Sequence, residues 1–85
     1  MNLPNNAYRT SDTTLAAFLI TAQYELLHID YSQPRFEFSF PESATLKDSV
    51  TRYITGSALT DPASFARVNR KLLRVLRKRC QWEED

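Results

Sequence analysis

The spacing of apolar residues in the first part of the chain predicts a short strand followed by a buried helix. Ala7–Thr10 is predicted to form the strand. An unbroken apolar run, Leu15–Ile20, then covers most of the circumference of a helix that we expect to extend from about Asp12 to Gln23. Ser11 or Asp12 is its expected N-cap, because a side-chain oxygen there accepts a hydrogen bond from a free N–H of the first turn.

The middle of the chain changes to a period of two, which predicts two strands. Apolar residues alternate with polar ones in residues 24–31 and again, with three phenylalanines, in residues 35–40. Pro41 ends the second run, and Ser32–Pro34 is predicted to form the turn between the runs. The two strands therefore predict an antiparallel hairpin.

Two more helices are predicted in the second half. The first begins after Ser43, its expected N-cap, and ends at Gly56, the sole glycine, which suits the left-handed backbone of a helix C-terminus. Its apolar residues recur at helical spacing and are Leu46, Val50, Tyr53 and Ile54. The last helix begins at Asp61-Pro62, because Asp is favoured as the N-cap and Pro as the first helical residue.

These elements, in the order β-α-β-β-α-α, predict an α+β domain. We expect a small antiparallel sheet of two or three strands, covered on one face by three helices. The length of 85 residues suits one domain with a modest core. Residues 1–85 are therefore expected to form a single domain, in which 1–6 and 81–85 are flexible.

The segment Arg67–Arg79 contains seven of the eleven Lys and Arg residues and no acidic residue. At roughly 100° per residue on a helix, six of the seven share one side, which we call the basic face: Arg67, Arg70, Lys71, Arg74, Arg77 and Lys78. Arg79 points instead toward the opposite, apolar side. That side carries Phe65, Val68, Leu72, Val75 and Leu76. The segment thus predicts an amphipathic helix with a cationic outer surface.

The net charge of +1 conceals an uneven distribution along the chain. Residues 1–66 carry a net charge of −3, residues 67–79 carry +7, and residues 80–85 carry −3. Cys80 is the only cysteine, which excludes an internal disulfide and favours a cytoplasmic protein. The chain also lacks the run of about 18 apolar residues that a membrane span needs.

The chain opens with Tyr8-Arg9-Thr10-Ser11-Asp12, followed by Leu15-Ala16-Ala17-Phe18-Leu19 at the start of the first predicted helix. This opening resembles that of a small uncharacterised family of proteins from bacteria and phage-like mobile elements. The alternating aromatics of the hairpin come next in the same order, as Phe36, Phe38 and Phe40.

The second half of the chain continues this resemblance. A helix ends near Tyr53 and Gly56, and Asp61-Pro62 starts a last helix that contains Phe65. The chain departs from the pattern at Ala22-Gln23-Tyr24, where a glycine usually follows the first helix. The resemblance implies the fold and, because the function of the family is unknown, implies no activity.

The basic face predicts a partner rich in phosphate, because Lys and Arg displace counterions from nucleic acid. A helix that reads bases usually carries Asn, Gln or Ser among its arginines. Asn69 is the only such residue there, and it projects to the apolar side. Non-sequence-specific DNA or RNA, alone or in a nucleoprotein complex, is therefore the expected partner. Binding to a membrane surface is not expected, because the domain needs the apolar side of the helix for its own core.

Two alternatives remain open. In the first, the basic face is only a solvated surface, screened by the acidic C-terminal residues or by the net charge of −3 on residues 1–66. Otherwise the protein is an interaction module, either a homodimer or a phage-type inhibitor or adaptor, whose basic face meets an acidic protein surface. A long exposed edge on a small sheet would favour dimerisation through strands.

No enzyme activity and no cofactor are predicted. Thr10-Ser11-Asp12 is interpreted as a helix cap rather than a nucleophile, because it lies immediately before the apolar run. His28 and Asp30 share one face of a strand, but they lack a nucleophile or metal partner. One His and one Cys do not make a zinc site, and one Gly does not make a phosphate loop. Trp82 is expected to pack on the core rather than stack on a base.

Overall fold

The computed structural model of the protein describes residues 6–32 and 34–85. The elements are β1 (Ala7–Thr10), α1 (Thr13–Thr21), β2 (His28–Asp30), β3 (Glu37–Pro41), α2 (Ala44–Thr55), α3 (Pro62–Lys78) and a 3₁₀ turn (Trp82–Glu84). The predicted α+β class and the order β-α-β-β-α-α are confirmed. The expected flexibility of residues 1–5, and the position of Gln33 in the predicted turn, lie outside the described residues.

The sheet has three antiparallel strands in the order β1-β3-β2, so the last strand in the chain lies in the centre. Tyr8 of β1 lies opposite Phe40, and Ile29 of β2 lies opposite Phe38. Phe38, Phe40 and Ile29 are buried almost completely. The alternation that predicted the hairpin therefore also separates the core side of the sheet from its polar side.

Helix α1 is the centre of the helical layer, and it contacts β1, α2 and α3. Its residues Leu15–Leu19 are all buried, as the unbroken apolar run predicts. Ala16 and Ala17 have no exposed surface, and their small side chains allow the surrounding elements to approach the helix backbone closely. Because α1 separates α2 from α3, the outer sides of both flanking helices face solvent.

Three side chains cap the helix N-termini as the sequence predicts. Each accepts a hydrogen bond from the backbone N–H three residues later: Asp12 from Leu15 at 3.1 Å, Ser43 from Leu46 at 3.0 Å, and Asp61 from Ser64 at 2.9 Å. Pro62 occupies the first turn of α3, where the absence of its N–H removes no helical bond.

All three helices end in the same way, although only one of them ends at a glycine. A residue with a left-handed backbone follows each of them: Gly56 (φ 79°) and Arg79 (φ 54°) directly after α2 and α3, and Gln23 (φ 75°) one residue later, after Ala22, at the end of α1. The next N–H reaches back five residues, as from Tyr24 to the Leu19 carbonyl at 3.0 Å, which is the Schellman pattern. Gln23 thus adopts the geometry for which a glycine is usual at this connection.

We expect opposite stability changes at two of these helix ends. Gly56→Ala should destabilise the protein by about 1 kcal/mol, because alanine disfavours the left-handed backbone. A Cβ at Gly56 meets no atom within 4 Å, so this cost is conformational rather than steric. Gln23→Gly should stabilise by up to about 1 kcal/mol for the same reason. Urea unfolding measures both changes, and shifts in the same direction would contradict the argument.

One residue of the apolar pattern of α2 lies outside the core. Ile54 lies at helical spacing from Val50, yet 73% of its surface is exposed. Helix α2 buries only Leu46 and Val50, because α1 is the one element that packs broadly against it. The contact with α1 therefore covers only part of the apolar side of α2 and leaves Ile54 in solvent.

Candidate nucleic-acid interface

Helix α3 is oriented so that the basic face points away from the domain. Its apolar side rests on α1, with Leu72 and Val75 fully buried and Leu76 nearly so. Five residues of the basic face are exposed, and Lys71 is half-buried. At about 1.5 Å of rise per residue, the face extends roughly 16 Å from Arg67 to Lys78.

The C-terminal segment, Gln81–Asp85, lies against the domain, although the sequence predicts that it is flexible. The left-handed backbone at Arg79 turns the chain away from α3. The Gln81 side chain then bonds the outer edge of β2: its Nε2 donates to the Ile29 carbonyl and its Oε1 accepts from the Ile29 N–H, both at 2.8 Å. The 3₁₀ turn that follows brings Asp85 back to α3.

Asp85 binds two residues of the basic face. Its carboxylate accepts hydrogen bonds from Nη2 of Arg74 at 2.6 Å, from Nε of Arg74 at 3.0 Å, and from Nζ of Lys78 at 3.0 Å. Although Asp85 as a residue is exposed, only 6% of its side-chain surface is. The hydrogen bonds from Arg74 and then Lys78 hold the pKa of this carboxyl well below its usual value.

Trp82 covers a third residue of the basic face. The Nζ atom of Lys71 lies 4.1 Å from the centre of the Trp82 ring, a distance at which cation and ring attract each other. The ring is half-buried and packs on the edge of the core, in agreement with its expected packing role. Trp82 is therefore not a free platform on which a base could stack.

The C-terminal segment thus divides the basic face into two halves. The covered half consists of the cations that Trp82 or Asp85 engages, Lys71, Arg74 and Lys78, although the side chains of Arg74 and Lys78 keep 44% and 56% of their surface exposed. The open half consists of Arg67, Arg70 and Arg77. Nη2 of Arg67 donates to Ser64 Oγ at 3.2 Å, whereas Arg70 and Arg77 form no side-chain hydrogen bond or ion pair within the described ranges.

Arg79 stands apart from the basic face, as predicted, but the reason is that it follows the last helical residue and has a left-handed backbone. Its guanidinium lies 4.9 Å from the centre of the Tyr31 ring and donates to the Tyr31 carbonyl at 3.2 Å. The Tyr31 hydroxyl donates in turn to the Cys80 carbonyl at 2.6 Å, and burial raises the pKa of that hydroxyl. Arg79 and Tyr31 therefore fix the end of α3 to the hairpin.

The polar side of the sheet brings together residues that sequence spacing alone does not. His28 of β2 lies directly opposite Ser39 of β3, and Ser39 is buried to 1% exposure. No hydrogen bond joins their side chains in the part of the chain that the structure describes. The Asp30 carboxylate accepts instead from Ser32, through its N–H at 2.8 Å and its Oγ at 2.6 Å, which lowers the pKa of Asp30. Within residues 6–32 and 34–85, no carboxylate therefore forms a hydrogen bond that would orient the His28 ring.

The edges of the sheet are short. Strand β1 has four residues and β2 has three, and Gln81 occupies the outer edge of β2. Dimerisation through strands would need a long exposed edge, and no such edge is present among residues 6–32 and 34–85. Within the same residues, no group of three or more His, Cys, Asp and Glu side chains could hold a metal ion.

No protein-family model, curated protein or solved structure gives a significant match to this chain. Among the described residues, every helix is too short or too polar to cross a membrane.

Proposed function

We propose that this protein is a small non-enzymatic accessory protein that binds nucleic acid, alone or in a nucleoprotein complex, through the basic face. The observation that carries the proposal is the open half of that face. Arg70 and Arg77 lie two turns apart on the exposed side of α3, with no carboxylate partner among the described residues. Such cations are available to the phosphates of a polyanion.

The dimensions of the basic face suit a phosphate backbone. A duplex carries one negative charge per roughly 1.7 Å of axis, so a surface of about 16 Å spans several phosphates. Arg and Lys at successive turns contact phosphates without reading base identity. Asn69, whose amide could read a base, is half-buried and lies off the basic face. Binding without sequence preference is what these features support.

The test is a fluorescence-anisotropy titration against labelled single-stranded RNA, single-stranded DNA and duplex DNA of unrelated sequence. Each is titrated at a low and a higher salt concentration. With three to five phosphate contacts on duplex DNA, the slope of log K against log salt should be roughly −3 to −4.5. We expect similar affinities across unrelated sequences of each kind. Failure to bind any of the three at low salt would overturn the proposal.

A second candidate is an interaction module that binds an acidic protein surface. The contact between Asp85 and Arg74 supports it, because the basic face there already accepts a carboxylate. A homodimer of this kind predicts a sedimentation mass that rises with concentration. An adaptor or inhibitor predicts a protein partner that stays bound after nuclease treatment, whereas release by nuclease favours nucleic acid.

A further inference from the structure

We propose that the C-terminal segment is an internal competitor for the basic face, which a bound polyanion must displace from Lys71, Arg74 and Lys78. The inference rests on the proposed function, since it concerns the regulation of the same surface. It follows from the division of that face into an open half and a covered half. The open half is available for first contact, and the donor atoms that Asp85 and Trp82 engage in the covered half become available to phosphate only when those two residues leave.

Asp85 holds its partners in the way that a phosphate would. Arg74 donates through both Nε and Nη2 to the one carboxylate, and the two-pronged guanidinium makes the same kind of contact with phosphate oxygens. Lys78 adds a third charged donor to the same group. The carboxylate and a phosphate therefore compete for identical donor atoms and cannot both occupy them.

The two ends of the segment differ in how easily they can be displaced. Gln81 is neutral and half-buried, and two hydrogen bonds join its amide to the β2 backbone. Because neither partner is charged, a polyanion does not compete for these bonds. Asp85 is held by Arg74 and Lys78, whose side chains are 44% and 56% exposed. Displacement should therefore begin at Asp85, release Trp82 from Lys71, and leave Gln81 in place as an anchor.

The anchor also determines which anions can compete. Because only three residues separate Gln81 from Asp85, the carboxylate is held near Arg74 at a high effective concentration. A single phosphate ion has no such advantage, whereas a nucleic acid held by the open half presents its next phosphates at a comparably high local concentration. The segment should accordingly discriminate against small anions and in favour of extended polyanions.

Two single substitutions separate this competition from a simple change in charge. Asp85→Asn and Glu83→Gln each remove one negative charge from the same segment. Glu83 is exposed, and its carboxylate makes no hydrogen bond or ion pair among the described residues, so only the Asp85 change releases Arg74 and Lys78. Trp82 is the sole tryptophan of the protein, and its emission reports the position of the segment without any added label.

We expect Asp85→Asn to bind single-stranded RNA and DNA about tenfold more tightly than the native protein. A tenfold change is the result if the covered half of the native protein is free of the segment about one tenth of the time. Glu83→Gln should change the affinity less than about threefold, the effect of one unpaired surface charge. Without nucleic acid, Trp82 emission should shift to longer wavelength in Asp85→Asn and stay unchanged in Glu83→Gln.

The outcomes distinguish this inference from the proposed function. If the native protein binds and both variants match it, the internal competition is overturned and the binding function stands. The same conclusion follows if Trp82 emission does not respond to Asp85→Asn. If neither the native protein nor Asp85→Asn binds any nucleic acid at low salt, both the inference and the proposed function fail. Tighter binding by Asp85→Asn alone supports both.

Discussion

Leu72→Ala is expected to destabilise the protein by about 2–5 kcal/mol, the range for removing a fully buried leucine side chain. Leu73→Ala is expected to cost no more than about 0.5 kcal/mol, as for most surface substitutions. The two residues are neighbours on α3, but Leu72 has no exposed surface and Leu73 is 48% exposed. Helix propensity changes equally in both variants, so the difference measures only which side of α3 faces the core.

Urea unfolding followed by circular dichroism checks this pair. A chain of 85 residues is stable by roughly 4–13 kcal/mol, so the Leu72 variant should lose a large part of its stability and the Leu73 variant should unfold close to the native midpoint. Equal losses would mean that α3 is rotated from the position described. The basic face would then not point to solvent, and the proposed function would lose its structural support.

Reversing the charge at Arg70 and Arg77 together is expected to weaken nucleic-acid binding by about 100-fold or more at low salt. Each lost charge-assisted contact is worth about 1.5 kcal/mol or more, so two correspond to about 3 kcal/mol. Stability should change little, because Arg70 and Arg77 make no polar side-chain contact within the described part of the chain. Anisotropy titration gives the affinity, and circular dichroism confirms that the variant is folded.

The matched control reverses Lys47 and Arg52 on α2. This variant carries the same net charge as the Arg70 and Arg77 variant, but the altered residues lie outside the basic face. Both are exposed and have surface partners, Lys47 with Glu42 at 3.1 Å and Arg52 with Asp48 at 2.9 Å. We expect the control to bind within a few-fold of the native protein. An equal loss in both variants would assign the binding to net charge and not to α3.

The parts of the fold that depend on neighbouring residues could be predicted from sequence. Caps are local, so Ser43 and Asp61 were identifiable from the residues that follow them, and the first cap could be narrowed to Ser11 or Asp12. Gly56 was identifiable because few other residues accept a left-handed backbone. The side of α3 that faces solvent followed in the same way from the spacing of its charges within one helix.

The parts that depend on distant contacts could not be predicted. The covering of half the basic face requires Gln81 to meet Ile29, which lies 52 residues away in the chain. The juxtaposition of His28 and Ser39 depends on the register of the hairpin, which alternation alone does not determine. The exposure of Ile54 depends on how few elements pack against α2, and a helical period does not contain that information.

The position of β3 between the other two strands has a consequence for how the chain folds. Ile29 and Phe38 are close in sequence, so the hairpin of β2 and β3 closes a short loop, on a timescale of about 1–10 μs for an isolated hairpin. Tyr8 reaches Phe40 only after the chain has closed a loop that contains both α1 and β2. We therefore expect β1 to join last, and the docking of this single short strand to limit the rate at which the native sheet is completed.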